Sequence, residues 1–278
     1  MRKIIGIELF KLFRSKRTYI VFGIAIILML IINIGLYSDG EEFFDFLLRS
    51  IKEYFFIDGE VINGYLIAYL ALNSLWVHIP LLVIIVTTYI FSSEFEYGTI
   101  RVVLTQPISR MQLLTAKIIS MIFFIVCFML IVSIFALVPA VLLFGKGDVV
   151  VFIEGIQFIQ EDGFLKRFFS TIGFSVISMT AFSSLAMYLS FWFKNSLTSI
   201  LVSLGILIVC TLLQTFVFGF FSSWHPYLFT YHISKWQLFF IHDVPLRSIF
   251  NSVYFLTGMS LLFMGLTYFK FKRLNISE

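Results

Sequence analysis

The residues best suited to chemistry are charged side chains in one hydrophilic segment, 92–117, which separates two long apolar runs. The charged residues of this segment are Glu94, Glu96, Arg101, Arg110 and Lys117. Carboxylates and cations in such a mixture form charge-assisted hydrogen bonds with complementary groups. The segment therefore predicts a surface that docks against another molecule rather than a stretch that crosses a membrane.

Local signals predict the structure that presents these charges. Gly98 can adopt backbone angles that a side chain would forbid, and Thr99 is a candidate N-cap for a short helix over 100–104. Pro107 disfavours helical geometry at the preceding residue and so ends that helix. Ser109 followed by Gln112 is a capping-box pattern that begins the next helix. We expect a short helix on the membrane surface, held between two spanning helices.

The order of these residues resembles the first cytoplasmic loop of ABC-2 type permeases, the membrane subunits of a class of ABC exporters. The residues that carry the resemblance are Glu94, Glu96, Gly98, Thr99, Arg101, Leu104, Pro107, Ser109, Arg110 and Lys117. A looser likeness covers residues 8–12 near the N-terminus.

In that family the loop is a coupling helix, which lies in a groove of a separate ATPase subunit. The resemblance therefore implies that residues 94–110 couple this chain to an ATPase. It also implies ATP and Mg²⁺ on that partner, no cofactor on this chain, and a second permease copy or paralogue.

Composition independently indicates an integral membrane protein. Mean hydropathy is +0.99, and charged residues are 13% of the chain, about half the share of about 25% found in soluble domains. Cys127 and Cys210 lie inside apolar runs and indicate no disulfide framework. The first apolar run is too long for a signal-peptide core and lacks a small-x-small site after it, so we expect no cleaved signal.

Six apolar runs reach the length of about 20 residues that a spanning helix needs. We predict spans at 19–37, 64–91, 113–144, 168–193, 197–221 and 248–269, with a coupling loop at 92–112. Residues 1–17 place Ile5, Leu9, Leu12 and Phe13 on one helical face and Glu8, Lys11 and Ser15 on the other, which predicts an interfacial elbow helix. The fold class is an all-α polytopic membrane protein, with residues 1–278 forming one transmembrane domain.

The distribution of basic residues predicts the orientation. With the N-terminus inside, 13 of the 20 Lys and Arg residues face the cytoplasm, and 12 of the 16 acidic residues face outward. Both termini are then cytoplasmic, in the inner membrane of a bacterium. Membrane topology explains the basic inner surface, so no nucleic-acid partner is expected.

Three predicted external segments carry their own patterns. Residues 41–57 are amphipathic and suggest a separate interfacial helix on the outer leaflet. Residues 146–167 fit either a helix or a short hairpin. The third segment contains the aromatic residues Trp224, Tyr227, Tyr231 and Trp236, which are typical of anchors at the membrane boundary.

Several polar residues leave two interpretations open. His78 lies within the second predicted span, where it is either functional or a neutral histidine bonded to a neighbouring helix. Ser175, Ser178, Thr180, Ser183 and Ser184 crowd the fourth span. These hydroxyls either permit close helix packing, which we favour, or line a polar path. His225, His232, His242 and Asp243 match no metal-ligand spacing, so no metal is expected.

The chain contains no phosphate-binding P-loop, no His-Glu-x-x-His pair and no Gly-x-Ser-x-Gly turn. It is therefore not expected to be an enzyme, and ATP hydrolysis is assigned to a separate subunit. The preferred function is the permease subunit of an ABC exporter, which exports a substrate or extracts it from the membrane. The alternative is a stand-alone secondary transporter or a membrane-embedded lipid-modifying protein. A secondary transporter would show internal repeats and interrupted helices.

Overall fold

The structure is a computed structural model that describes residues 1–52, 62–153, 155–215 and 224–273. The helices are α1 (Arg2–Arg14), α2 (Lys16–Lys52), α3 (Gly64–Ser74), α4 (His78–Glu96), α5 (Ile100–Leu104), α6 (Arg110–Phe144), α7 (Glu161–Phe193), α8 (Ser196–Thr215), α9 (Phe229–Ser234) and α10 (Leu246–Lys272). Short 3-10 helices cover His225–Tyr227 and Lys235–Phe240.

Six of these helices are long and apolar enough to cross a bilayer, which confirms the all-α polytopic fold. They are α4, α6, α7, α8, α10 and the Lys16–Gly40 part of α2. Helix α7 lies at the centre of the bundle, in contact with α4, α6, α8 and α10. The outer helices α2, α8 and α10 leave most of their apolar surface uncovered by this chain.

The prediction of one continuous helix over 64–91 was wrong. The chain turns at 75–77 between α3 and α4, and α3 alone is too short to span. Pro80 lies in the first turn of α4. In an unbroken helix its ring would clash with the carbonyl of Trp76, and it offers no N–H for a hydrogen bond to that carbonyl. Pro80 therefore begins a new helix here instead of only bending an existing one.

Helix α3 packs closely against the second half of α6. The Gly64 amide donates to the Gly145 carbonyl at 2.9 Å. A Cβ on Gly64 would lie 2.6 Å from the Ala140 carbonyl oxygen, so a glycine is required for this approach. Helices α3 and α4 together thus run antiparallel to α6 along its length.

The segments at the end of the bundle farthest from α5 differ in part from the predictions. Residues 41–52 continue α2 instead of forming a separate helix, and 53–57 lie outside the described residues. The open choice for 146–167 resolves into an antiparallel hairpin of β1 (Val149–Phe152) and β2 (Ile156–Ile159), after which α7 begins.

One predicted membrane-boundary aromatic is instead part of the core. Trp236 is 1% exposed and packs against the rings of Tyr69, Trp76 and Phe240. The prediction that Trp236 is an anchor at the membrane boundary was wrong, because the segment folds back onto α3 and the α3–α4 turn. Trp224 and Tyr227 are exposed.

Candidate functional site

The predicted docking segment forms a structured loop between α4 and α6. Helix α5 occupies Ile100–Leu104, and Gly98 before it has φ +67°. The capping box at the start of α6 is confirmed. The Gln112 amide donates to the Ser109 hydroxyl at 3.1 Å, and the Ser109 amide donates to the Gln112 side chain at 3.1 Å. The turn before α5 and the cap after it fix where this short helix lies.

The part of the loop centred on α5 faces outward. Tyr97, Thr99, Arg101, Val102 and Pro107 are exposed. Val102 is 64% exposed and Tyr97 61%, although both carry large apolar groups. A cation flanked by uncovered apolar side chains is a surface suited to a protein partner.

Glu94, two residues before the exposed turn, is buried. It belongs to a cluster of two carboxylates and two ammonium groups that we call the ion-pair cluster: Glu8, Lys11, Glu94 and Lys117. Three members are at most 5% exposed, and only Lys11 reaches the surface. The four formal charges cancel, so the cluster is neutral as a whole.

The contacts within the ion-pair cluster join three helices. Lys117 Nζ on α6 lies 3.2 Å from Glu8 Oε2 on α1 and 3.1 Å from Glu94 Oε1 on α4. Lys11 Nζ lies 2.6 Å from Glu8 Oε1 and 2.9 Å from Glu94 Oε1. Lys117 also donates to the Ile90 carbonyl at 2.7 Å. Each buried charge therefore has a partner of opposite sign on another helix.

The charge state of Lys11 is fixed by this arrangement. Burial alone would lower the pKa of Lys11, but the carboxylates of Glu94 and Glu8 outweigh that effect and raise the pKa above its ordinary value. The two carboxylates thus favour the protonated, charged form of Lys11.

The N-terminal helix docks mainly through its predicted apolar face, with Leu12 buried and Ile5 and Leu9 half-buried, but it also buries Glu8 from the predicted polar face. Glu8 and Leu12 are the buried residues of α1, whereas Ile7 and Phe10 are exposed. Hydrophobic periodicity therefore identified the docking face but not the burial of Glu8. Glu8 is stable inside the protein because the opposite charge of Lys117 on α6 lies 3.2 Å away.

The two ends of the loop contact the remaining helices. The Ser196 hydroxyl at the start of α8 donates to Glu96. Arg110 Nη1 donates to the Phe271 and Lys272 carbonyls at the end of α10, each at 3.4 Å. Helices α1, α4, α6, α8 and α10 thus meet at one end of the bundle around the loop.

Most of the chain that forms this site matches a known protein family. Residues 4–211 of the 278 match the family described as ABC-2 family transporter protein. The chain belongs to this ABC-2 transporter family. The matched region contains the loop and all four members of the ion-pair cluster.

One relative of this ABC-2 protein is the "Uncharacterized protein YhcI" of Bacillus subtilis (strain 168). It is 25% identical over 190 residues, which cover 66% of this chain and 59% of the relative. The match therefore spans less than two thirds of that relative's length. Family membership identifies a multi-pass membrane component of transport rather than a catalytic subunit.

Sequence reasoning did not assign Glu8, Lys11 and Lys117 of the ABC-2 protein to one cluster. Glu8 and Lys11 appeared as the polar face of the first helix, and Lys117 as part of the charged loop. A usable signal did exist, since the orientation rule put all three charges at the same membrane face as Glu94. Proximity within that face depends on how α1, α4 and α6 pack.

The other predicted polar residues lie in two different environments. His78 is exposed at the first turn of α4, and its ring has no hydrogen-bond partner among the described residues. The hydroxyl residues of α7 are mostly buried, with Ser178, Ser183 and Ser184 fully so.

The described hydroxyls of α7 bond within their own helix. Ser178 donates to the Phe174 carbonyl and Thr180 to the Val176 carbonyl. Ser184 donates to the Ala181 carbonyl, whereas the buried Ser183 hydroxyl is an exception, with no partner among the described residues. These bonds make no link between helices, so what the side chains offer their neighbours is small size. The packing role of these hydroxyls stays a prediction.

Within the described ranges, no group of three or more His, Cys, Asp or Glu residues is placed to hold a metal ion. His232 instead contacts the Ser252 hydroxyl and the Pro226 carbonyl through its two ring nitrogens, and it stacks on Phe255. The ring is thus engaged in packing the segment against α10.

Proposed function

We propose that this chain is the permease subunit of an ABC exporter, and that residues 94–110 couple it to a separate ATPase subunit. The observation that carries the proposal is the exposed helix α5, which is bounded by a glycine turn and a capping box above a buried ion-pair cluster. The ion-pair cluster transmits displacement because separating its charges would leave them buried without the partners that offset their desolvation.

The proposed transmission follows the contacts of the loop. ATP, bound with Mg²⁺ on the partner, supplies the energy that moves the ATPase subunits. A push on α5 passes through the Gly98 turn to the end of α4 and through the Ser109 cap to α6. Glu94 and Lys117 carry the movement to Glu8 on α1. In this proposal Glu94 acts from inside the bundle, while Arg101 is the residue that meets carboxylates of the partner.

A complete transporter would contain two permeases and two ATPase subunits. The exposed apolar surfaces of α2, α8 and α10 support a second permease copy or paralogue and membrane lipid as their neighbours. The hydroxyls of α7 would then serve packing within each copy. His78, exposed at the α3–α4 break, is the better candidate for a polar path.

The turn at 75–77 is a feature that also occurs in secondary transporters, where interrupted helices bind the substrate. We therefore keep a stand-alone secondary transporter as the second candidate function. The two candidates differ in one requirement, because only the ABC permease needs an ATPase subunit in contact with α5.

The orientation of the chain gives the first prediction. We expect a cysteine at Thr99 to react with an impermeant thiol reagent only after cell lysis, and a cysteine at Asp162 to react in intact cells. Both positions are exposed and lie at opposite ends of the bundle. The background would carry Cys127→Ala and Cys210→Ala. The reverse labelling pattern would place α5 outside the cell, beyond reach of any ATPase.

Contact with an ATPase gives the second prediction. Arg101→Glu should lower the recovery of a complex with the proposed ATPase subunit by at least about tenfold, because like charges would face each other across the interface. Co-purification and quantitative blotting would measure this. Lys166→Glu is the matched control, since it makes the same charge change at an exposed residue of the opposite end. Equal recovery of both variants would count against α5 as the docking helix.

A further inference from the structure

A pocket of about 330 Å³ lies beside the ion-pair cluster, between α1, α4 and α6. Its polar lining includes Lys11, Arg14, Ser15, Tyr89 and Ser93. Glu8 also lines the pocket, with its carboxylate paired to Lys11 and to Lys117, which is a further lining residue. Phe10, Leu12 and Ile90 supply apolar walls. The pocket therefore combines cations, hydroxyls and apolar surface at the end of the bundle that carries α5.

The cations of this pocket retain hydrogen-bond capacity. Lys11 has three N–H donors, and its hydrogen bonds to Glu8 and Glu94 use two of them. Its side chain is 47% exposed. Arg14 contacts the Phe10 ring at 5.8 Å and pairs with no carboxylate of the described chain. Arg17 lies 4.1 Å above the Tyr89 ring at the pocket wall. Because the ion-pair cluster is neutral, Arg14 and Arg17 give the site a net positive charge.

The surroundings indicate which kind of anion fits. Ile7, Phe10, Tyr19 and Ile20 are exposed on α1 and the start of α2, so the cationic pocket is bordered by uncovered apolar surface. A free inorganic anion needs no such border. A phospholipid does, because its phosphate and its acyl chains are covalently joined. Basic residues next to a membrane surface attract anionic lipid.

We propose that this pocket binds the phosphate group of an anionic phospholipid from the leaflet that contains α1. Lys11 and Arg14 donate to the phosphate oxygens, the hydroxyls of Ser15 and Ser93 complete the polar shell, and the acyl chains lie along Phe10 and the start of α2. Bound lipid holds α1 against α4 and so stabilises the ion-pair cluster. The assignment concerns a lipid site on this chain and does not depend on ATPase coupling.

Thermal unfolding of the full-length chain in detergent tests this site. Phosphatidylglycerol added to mixed micelles should raise the unfolding temperature more than phosphatidylcholine does. Arg14→Gln should weaken the phosphatidylglycerol effect about fivefold in apparent affinity, and Arg14→Lys should retain most of it. Lys3→Gln is the matched control, because it removes an exposed charge from the same helix outside the pocket.

A second variant tests the pocket without changing charge. Ser93→Phe should fill the space and remove the selectivity for phosphatidylglycerol while the chain still folds, as shown by its unfolding transition without lipid. Equal responses to the two lipids in the wild-type chain would overturn the proposal. So would equal losses in Arg14→Gln and Lys3→Gln, or a full response to inorganic phosphate alone, which would indicate a phosphate site without lipid.

Discussion

Glu94→Gln is expected to destabilise this chain strongly and to abolish transport. The substitution keeps the shape of the side chain but leaves Glu8 as the one carboxylate of the cluster for both Lys11 and Lys117, of which Lys117 is 3% exposed. Removing one partner of a buried ion pair costs about 3–5 kcal/mol, because the remaining charge stays desolvated. We expect a lower unfolding temperature, a lower yield of inserted protein and no coupled transport.

Glu96→Gln is the matched control for Glu94→Gln. It removes the same charge two residues later in the chain, but Glu96 is exposed and bonds only the Ser196 hydroxyl among the described residues. Its effect on the unfolding temperature should be small. Equal destabilisation by the two variants would show that the ion-pair cluster does not hold α1, α4 and α6 together.

A double-mutant cycle measures the interaction energy between Glu94 and Lys117 apart from the separate effect of each substitution. Glu94→Gln combined with Lys117→Met removes both charges of one pair and leaves Glu8 facing Lys11. The double variant should be less destabilised than the sum of the single variants, by about 1–3 kcal/mol for residues in direct contact. Simple additivity would mean that the two side chains act independently.

Gly98→Val should abolish coupled transport while insertion and thermal stability stay near normal. Gly98 has φ +67°, and no atom lies within 4 Å of a Cβ built there, so the change acts through the backbone alone. A β-branched residue is a strong outlier at this φ, and left-handed geometry costs about 1–2 kcal/mol even for ordinary residues. The turn should relax and point α5 in another direction, which misplaces Arg101.

Transport-coupled ATP hydrolysis in vesicles that contain this chain and its ATPase partner would measure the effect. We expect Gly98→Val to retain less than about a tenth of wild-type coupling, because a misplacement of about 1 Å can lower the rate of a geometry-dependent step by a large factor. Gly98→Asn is the matched control, because asparagine tolerates positive φ, and it should keep most of the activity. Wild-type transport by Gly98→Val would mean that the loop only connects α4 to α6.

The sequence was sufficient for the features that depend on local or bulk physics. Spans of about 20 apolar residues need no tertiary information, because the bilayer fixes the length. Gly98 and the Ser109–Gln112 box were readable because a turn and a helix cap involve residues within four positions of one another. The order of residues 94–110 also pointed to the family that the comparison then showed.

Contacts between distant residues needed the tertiary structure. The helix break at 75–77 was missed because Pro80 permits a kink or a full stop, and packing of the turn against Trp236 decides between them. Trp236 itself has the amphipathic character of a boundary anchor, and only the folding of its segment onto α3 buries it.

The ion-pair cluster is the clearest example of a feature that the sequence alone did not predict. The sequence determined that Glu8, Lys11, Glu94 and Lys117 lie at one membrane face, since charge asymmetry orders the helix ends. It did not determine that they meet, because their separations along the chain reach 109 residues and a buried charge is stable only where its counter-charge packs. Only the packing of α1 between α4 and α6 turned a charged surface into a neutral, buried base for the loop.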